Sequence, residues 1–130
     1  MDAASVFKKL RLNDKAELLI VNAPSEYLTI LKDVQFDSLP EAGKKYDFVQ
    51  VFAIAQSDLE RLCKEVKDAG KYDCLFWACY PKGTGKIKSD IKRETVWNAL
   101  ALADLQAVTQ IAIDDTWSAL RGRPEAMVGK

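Results

Sequence analysis

No histidine occurs among the 130 residues. That absence removes Ser-His-Asp and Cys-His catalysis, histidine-containing zinc sites and any imidazole acid–base step. Cysteine is sparse: Cys63, Cys74 and Cys79 form an odd set with no C-x-x-C spacing, a poor basis for a disulfide framework. Charge of one sign is not in excess. Nineteen basic residues balance nineteen acidic ones, which argues against a generally basic binder of nucleic acid or membrane while leaving a local patch open. No window approaches the ~18 apolar residues of a membrane span, and residues 1–10 lack the apolar stretch of a secretory leader. The setting expected is reducing and cytoplasmic, with the three thiols serving as buried apolar side chains.

Apolar residues make up 48% of the chain and charged residues 29%, an ordinary globular balance. A chain of this length buries roughly two-thirds of its unfolded surface, so no disulfide or metal staple is needed. No repeat, low-complexity stretch or Pro/Gly-rich linker divides it. The organisation expected is one domain over residues 1–130, with a core spanning about 5–123.

Periodicity places a short amphipathic helix over 3–10, a turn at Asn13-Asp14 and a buried strand over 16–21. Pro24 suits the first turn of a second helix. Residues 34–36 suit a short strand, residues 38–45 a loop and 48–54 another buried strand. In the helix that follows, Ser57 and Glu60 have the S-x-x-E spacing of a capping box, Leu59, Leu62, Cys63 and Val66 form the inward stripe, and Gly70 is expected to supply a left-handed stop. Residues 74–80 (CLFWACY) are apolar throughout, as in a strand covered on both faces. Beyond the loop PKGTGKIK, Ser89 and Asp90 suit a helix start, with Val96, Trp97, Leu100 and Ala101 inward. A strand over 107–113 and an antiparallel one over 117–121 complete the series. Trp77 and Trp97 are both expected in the core. The alternation specifies an α/β, three-layer Rossmann-like fold: a mostly parallel sheet of about six strands with an antiparallel C-terminal edge or inserted strand.

The segments LLIVNAPSEYLTIL (18–31), YDFVQVFAIAQSDLE (46–60), LFWACYPKGTGKIKSDI (75–91) and AIDDTWSALR (112–121) resemble an uncharacterised family of small bacterial domains. That family carries an NAP turn after its first strand, a WP-K-x-S/G turn and a DDTWS segment. The likeness spans residues 5–123, and Asp114 to Ser118 is its most specific part. At the second turn this chain departs, with Tyr80 before Pro81 and Trp77 three residues earlier. The family is similar to a trimmed methyltransferase-type Rossmann domain, which implies a final strand inserted antiparallel beside its neighbour. It implies no activity, and fold alone licenses none.

An S-adenosylmethionine or dinucleotide site needs glycines after the first strand, so that backbone can approach the ligand. Here that turn is Asn22-Ala23-Pro24, without glycine and with one amide donor missing. An acidic ribose partner would have to come from Asp33 or Asp37. Lys82-Gly83-Thr84-Gly85-Lys86 resembles a P-loop only superficially: Tyr80 stands where the first glycine belongs and Ile87 where Ser or Thr belongs. From Lys82 to Arg93 there are five basic residues and one acid. Ahead of a helix start, that run reads as a solvated loop or as a weak site for phosphate or an acidic partner.

The carboxyl ends of parallel strands share one rim, where ligands of such sheets usually bind. Asn22, Gln56, Lys82, Asp114, Asp115 and Trp117 are the candidate ligand rim. One aspartate can pair with Lys82 there, and Trp117 can wall a shallow cleft. The competing reading has the aspartates and Thr116 pinning a tight turn, with Trp117 packed beneath. No catalytic residue, cofactor or metal is assigned. The reading is a small cytoplasmic binding or interaction module without a functional S-adenosylmethionine or dinucleotide turn. Its partner is a small anionic ligand or a protein, with neither membrane nor nucleic acid expected and a homo-oligomer allowed. The alternatives are an unusual enzyme acting on a small anionic metabolite, with Lys82 as positive charge and an aspartate as base, or an assembly domain pairing through its C-terminal edge strand.

Overall fold

A computed structural model describes residues 3–11, 17–32, 34–83 and 87–129. The expected turn at Asn13-Asp14, the ribose candidate Asp33 and residues Thr84, Gly85 and Lys86 lie outside them. Five strands form one sheet in the order β1-β2-β3-β5-β4. Strands β1 (Leu18–Val21), β2 (Tyr46–Phe52) and β3 (Gly70–Pro81) pair in parallel. Strand β5 (Trp117–Arg123) lies antiparallel between β3 and β4 (Gln106–Ala112), so β4 runs in the direction of β3. The antiparallel strand is therefore inserted rather than at the edge, and β4 takes the edge that an assembly role had assigned to the C-terminal strand. The sixth strand expected over 34–36 reduces to a single bridge: Asp37 pairs with Leu19 along the outer side of β1.

Both faces of the sheet are covered because successive strand residues are apolar in both directions. On one face Leu18, Ile20, Phe48, Phe52, Trp77 and Cys79 pack against Val6 of α1 (Ala3–Lys9) and Tyr27 of α2 (Ser25–Ile30). On the other, Leu19, Val49, Val51, Phe76 and Ala78 pack against α3 (Gln56–Glu65) and α4 (Arg93–Ala101). Within the first layer Gln50 is fully buried, yet its amide is satisfied: the Tyr27 hydroxyl donates to Oε1 at 2.9 Å, and Nε2 donates to Cys79 Sγ at 3.4 Å. That bridge seats α2 on β2 and β3, because unpairing a buried polar group costs roughly 1–3 kcal/mol.

Tertiary contacts override four local expectations, one of them the start of α4, which falls at Arg93 after Lys92 instead of at Ser89 and Asp90. Ser57 and Glu60 form no capping box; the first amide of α3, on Gln56, donates 2.8 Å to Asp90 Oδ1 from the β3–α4 connection. Gly70 opens β3 instead of ending α3 in a left-handed conformation, and a Cβ there would collide with Cys74 Sγ. In α4 the inward residues are Val96, Ala99 and Leu100, while Trp97 is 55% exposed and Ala101 also faces out. Val96 and Leu100 lie one turn apart, so a side chain 100° further round from Val96 is carried away from the sheet.

Candidate functional site

The carboxyl ends of β1 to β4 share one rim, and the six residues singled out from sequence lie along it in two groups. Asn22 leaves β1 with φ at +61°, a left-handed conformation that asparagine tolerates better than most residues. Its side-chain Nδ2 donates 2.9 Å to the Phe52 carbonyl, lacing the ends of β1 and β2 together. Pro24 follows as the N-cap of α2, and its carbonyl accepts the amides of Tyr27 and Leu28 at 3.0 Å. Gln56 turns toward α4 rather than outward: Nε2 donates 2.8 Å to both the Thr95 carbonyl and Glu60 Oε2. Its Oε1 is buried without a partner among the described residues.

The second group surrounds the end of β3. The Lys82 amide donates 2.8 Å to the Thr116 carbonyl, joining the chain beyond β3 to the β4–β5 turn. Asp114 Oδ1 accepts the amides of Thr116 and Trp117, both at 2.8 Å, so this carboxylate pins the turn in the manner of an Asx turn. Asp115 is exposed. Trp117 is 5% exposed and meets Phe52 edge-on, centroids 5.3 Å apart, in the layer under α1 and α2. It therefore packs below the turn instead of walling a cleft. Lys82 forms no ion pair with either aspartate among the described residues.

Sequence reasoning missed the concavity on the other face. A cleft of about 640 Å³ opens between the first turn of α4, the end of β3 and the β4–β5 pair. Tyr80 and Ser118, direct partners across β3 and β5, form its floor, with Lys82, Lys92, Arg93 and Glu94 around its mouth. Tyr80 is 4% exposed and Ser118 5%. The signal was present in sequence as the basic run, but the pairing of Tyr80 with Ser118 depends on a strand order that periodicity does not encode.

The remaining candidates sit elsewhere or are quiet. Asp37 lies near the amino ends of the strands, where the Tyr46 hydroxyl and then Lys44 hold its carboxyl below the ordinary carboxylate range. That is the far side of the sheet from the rim. Burial pushes the Cys63 thiol up to about 12 and the Cys74 thiol up to about 11, and raises Cys79 as well. Neutral thiols of this kind are poor nucleophiles and poor metal ligands. Among the described residues there is no cluster of three or more metal-ligating side chains, and no helix is long and apolar enough to cross a membrane.

A parallel sheet with helices on both faces and one antiparallel strand inserted beside its edge strand defines a Rossmann-like fold of the methyltransferase type. Solved structures agree. The magnesium protoporphyrin IX methyltransferase of Synechocystis PCC 6803, with bound SAH, superposes with a TM-score of 0.51 at 11% identity over 68% of this chain and 50% of its own. An S-adenosylmethionine-dependent methyltransferase from Clostridium acetobutylicum gives 0.55 at 9% identity, over 83% of this chain and 75% of that one. The fibrillarin pre-rRNA processing protein of Methanococcus jannaschii gives 0.52 at 14% identity, over 86% and 57%. This chain thus spans half the length of the first of these proteins, and identities so low speak to fold alone. No protein-family profile matches the sequence, and no curated protein does.

Proposed function

We propose that this chain is a binding module on a methyltransferase-type scaffold, with the first crossover acting as a structural joint in place of a cofactor cradle. The observation that supports this most is the bond from Asn22 Nδ2 to the Phe52 carbonyl, which crosses the space between the ends of β1 and β2. A nucleoside cofactor held there needs backbone amides at close range, and the turn offers a proline and no glycine. In this reading the NAP and DDTWS segments are hinges of the fold, one lacing β1 to β2 and the other pinning β4 to β5. The module is a single cytoplasmic domain whose partner is a small anionic ligand or a protein. Thermal unfolding of the full chain with S-adenosylmethionine, S-adenosylhomocysteine or NAD tests it, since a ligand of the native state raises the midpoint by mass action. The midpoint is expected to stay put. A saturable rise that Asn22→Ala alters would overturn the reading.

A further inference from the structure

We infer that the cleft between α4 and the β3–β5–β4 end of the sheet is a binding site for the phosphate group of a small organic phosphate ester. The inference rests on the binding-module reading and gives it a location and a ligand class. Four kinds of donor converge there. Arg93 and Glu94, in the first turn of the nine-residue helix α4, present backbone amides with no acceptor among the described residues. Such amides, at the positive end of the helix dipole, favour an anion. Helix ends of this sort are common, so the floor of the cleft carries the argument. The hydroxyls of Tyr80 and Ser118 belong to residues more than nine-tenths buried, line the cleft, and have no hydrogen-bond partner among the described residues. Neither is sealed in the core as a wholly buried orphan, so both are left facing the cleft. Partly desolvated hydroxyls without partners are costly unless something occupies the space.

Charge points the same way. Lys82, Lys92 and Arg93 line the cleft with Glu94 as the sole acid among them, and none of the three cations is in an ion pair among the described residues. Two amides, two hydroxyls, a guanidinium and ammonium groups exceed what one carboxylate accepts, whereas a phosphate offers three strong acceptor oxygens. The cleft has room for more than a bare ion, and Ile91 and Ala112 add apolar surface beside the donors. An ester with a short apolar body fits that combination.

The test is an amide NMR titration of the full chain with phenyl phosphate, run beside inorganic phosphate, phenol and benzoate. Saturable shifts at Arg93, Glu94 and Ser118 are expected for phenyl phosphate, weaker ones for inorganic phosphate and benzoate, and none for phenol. Arg93→Ala and Lys82→Ala, both at solvent-accessible positions, are each expected to weaken binding by about tenfold, as loss of a charge-assisted hydrogen bond does. Lys64→Ala on α3 leaves it unchanged. Ser118→Ala tests the floor, and if that variant fails to fold, the two cation variants still decide. Absence of saturable shifts, an affinity that Arg93→Ala and Lys82→Ala leave unchanged, or shifts confined to residues 82–88 would overturn the site. A cleft that fails while the nucleoside cofactors also fail to bind removes this inference and leaves the module reading intact. Cofactor binding at residues 22–24 removes the module reading itself.

Discussion

The two halves of the rim use similar residues in opposite ways. Where β1 and β2 end, the side-chain donors are spent on the protein itself, Asn22 on the Phe52 carbonyl and Gln56 on Thr95 and Glu60, although Gln56 Oε1 stays buried without a partner among the described residues. Where β3 and β4 end and β5 begins, Asp114 is the side chain that pins the turn, and the nearby hydroxyls and cations of the cleft are left without partners among the described residues. Satisfied polar groups rigidify a structure, whereas unsatisfied ones await a ligand or water. A shared fold therefore does not fix which part of its rim stays open. That depends on which side chains close over the backbone.

Substitutions separate the halves. The largest effect is expected at Trp117, which contacts Phe52 from β2 while standing at the start of β5. Trp117→Ala should cost roughly 3–5 kcal/mol in chemical unfolding, as truncation of a buried aromatic does. A loss below about 1 kcal/mol would mean that the halves are not packed together there. Asp114→Ala removes the acceptor of two amides and should cost about 1–2 kcal/mol, in the range of a lost helix cap, while its neighbour Asp115→Ala should stay within about 0.5 kcal/mol. Equal effects at the two positions would refute the turn-pinning role. Asn22→Ala should cost about 1 kcal/mol for its hydrogen bond, with Asn22→Gly milder because glycine accepts the positive φ.

Acid is expected to act at the opposite end of the strands. The Tyr46 hydroxyl and Lys44 hold the Asp37 carboxyl down, the Glu17 amide and Lys71 do the same for Asp47, and Arg123 does so for Asp73. With folded-state values depressed, the unfolded chain binds more protons in acid. This share of stability is whole above the ordinary carboxylate range and declines as pH falls through it toward the lower folded values. Denaturant midpoints between neutral pH and about pH 3 should show that decline, and Asp73→Asn should make it shallower. A flat profile would contradict the assignment. Least of all, Lys82→Ala and Arg93→Ala should leave unfolding within about 0.5 kcal/mol of the parent, since neither cation is in an ion pair among the described residues. A large loss would show that these cations hold the fold together.

Much of this architecture is legible in sequence because apolar runs record burial on both faces. Residues 18–21 and 74–80 fall inside strands, and the inward stripe of Leu59, Leu62 and Cys63 is where periodicity puts it. What failed was decided by partners distant in the chain. Asp90, more than thirty residues from Gln56, caps α3 in place of Ser57. Trp97 is large and apolar yet lies off the narrow stripe that α4 buries, because Ala99 and Leu100 fill that seat. Asn22, Gln56, Lys82, Asp114, Asp115 and Trp117 lie near the strand ends because each comes shortly after a strand or begins one. Their roles were not legible, because the direction of Trp117 and the pairing of Tyr80 with Ser118 both follow from where β5 inserts.

That insertion sets an order on assembly. Strand β5 comes after β4 in the chain yet lies between it and β3. During synthesis β4 therefore emerges with no neighbour to hydrogen-bond, and its permanent seat exists only once residues 117–123 have left the ribosome. Until then β3 keeps an unpaired side of the kind that recruits foreign strands. A released chain truncated between residues 112 and 117 should be far more prone to proteolysis and to association with its own kind than one that runs through residue 123.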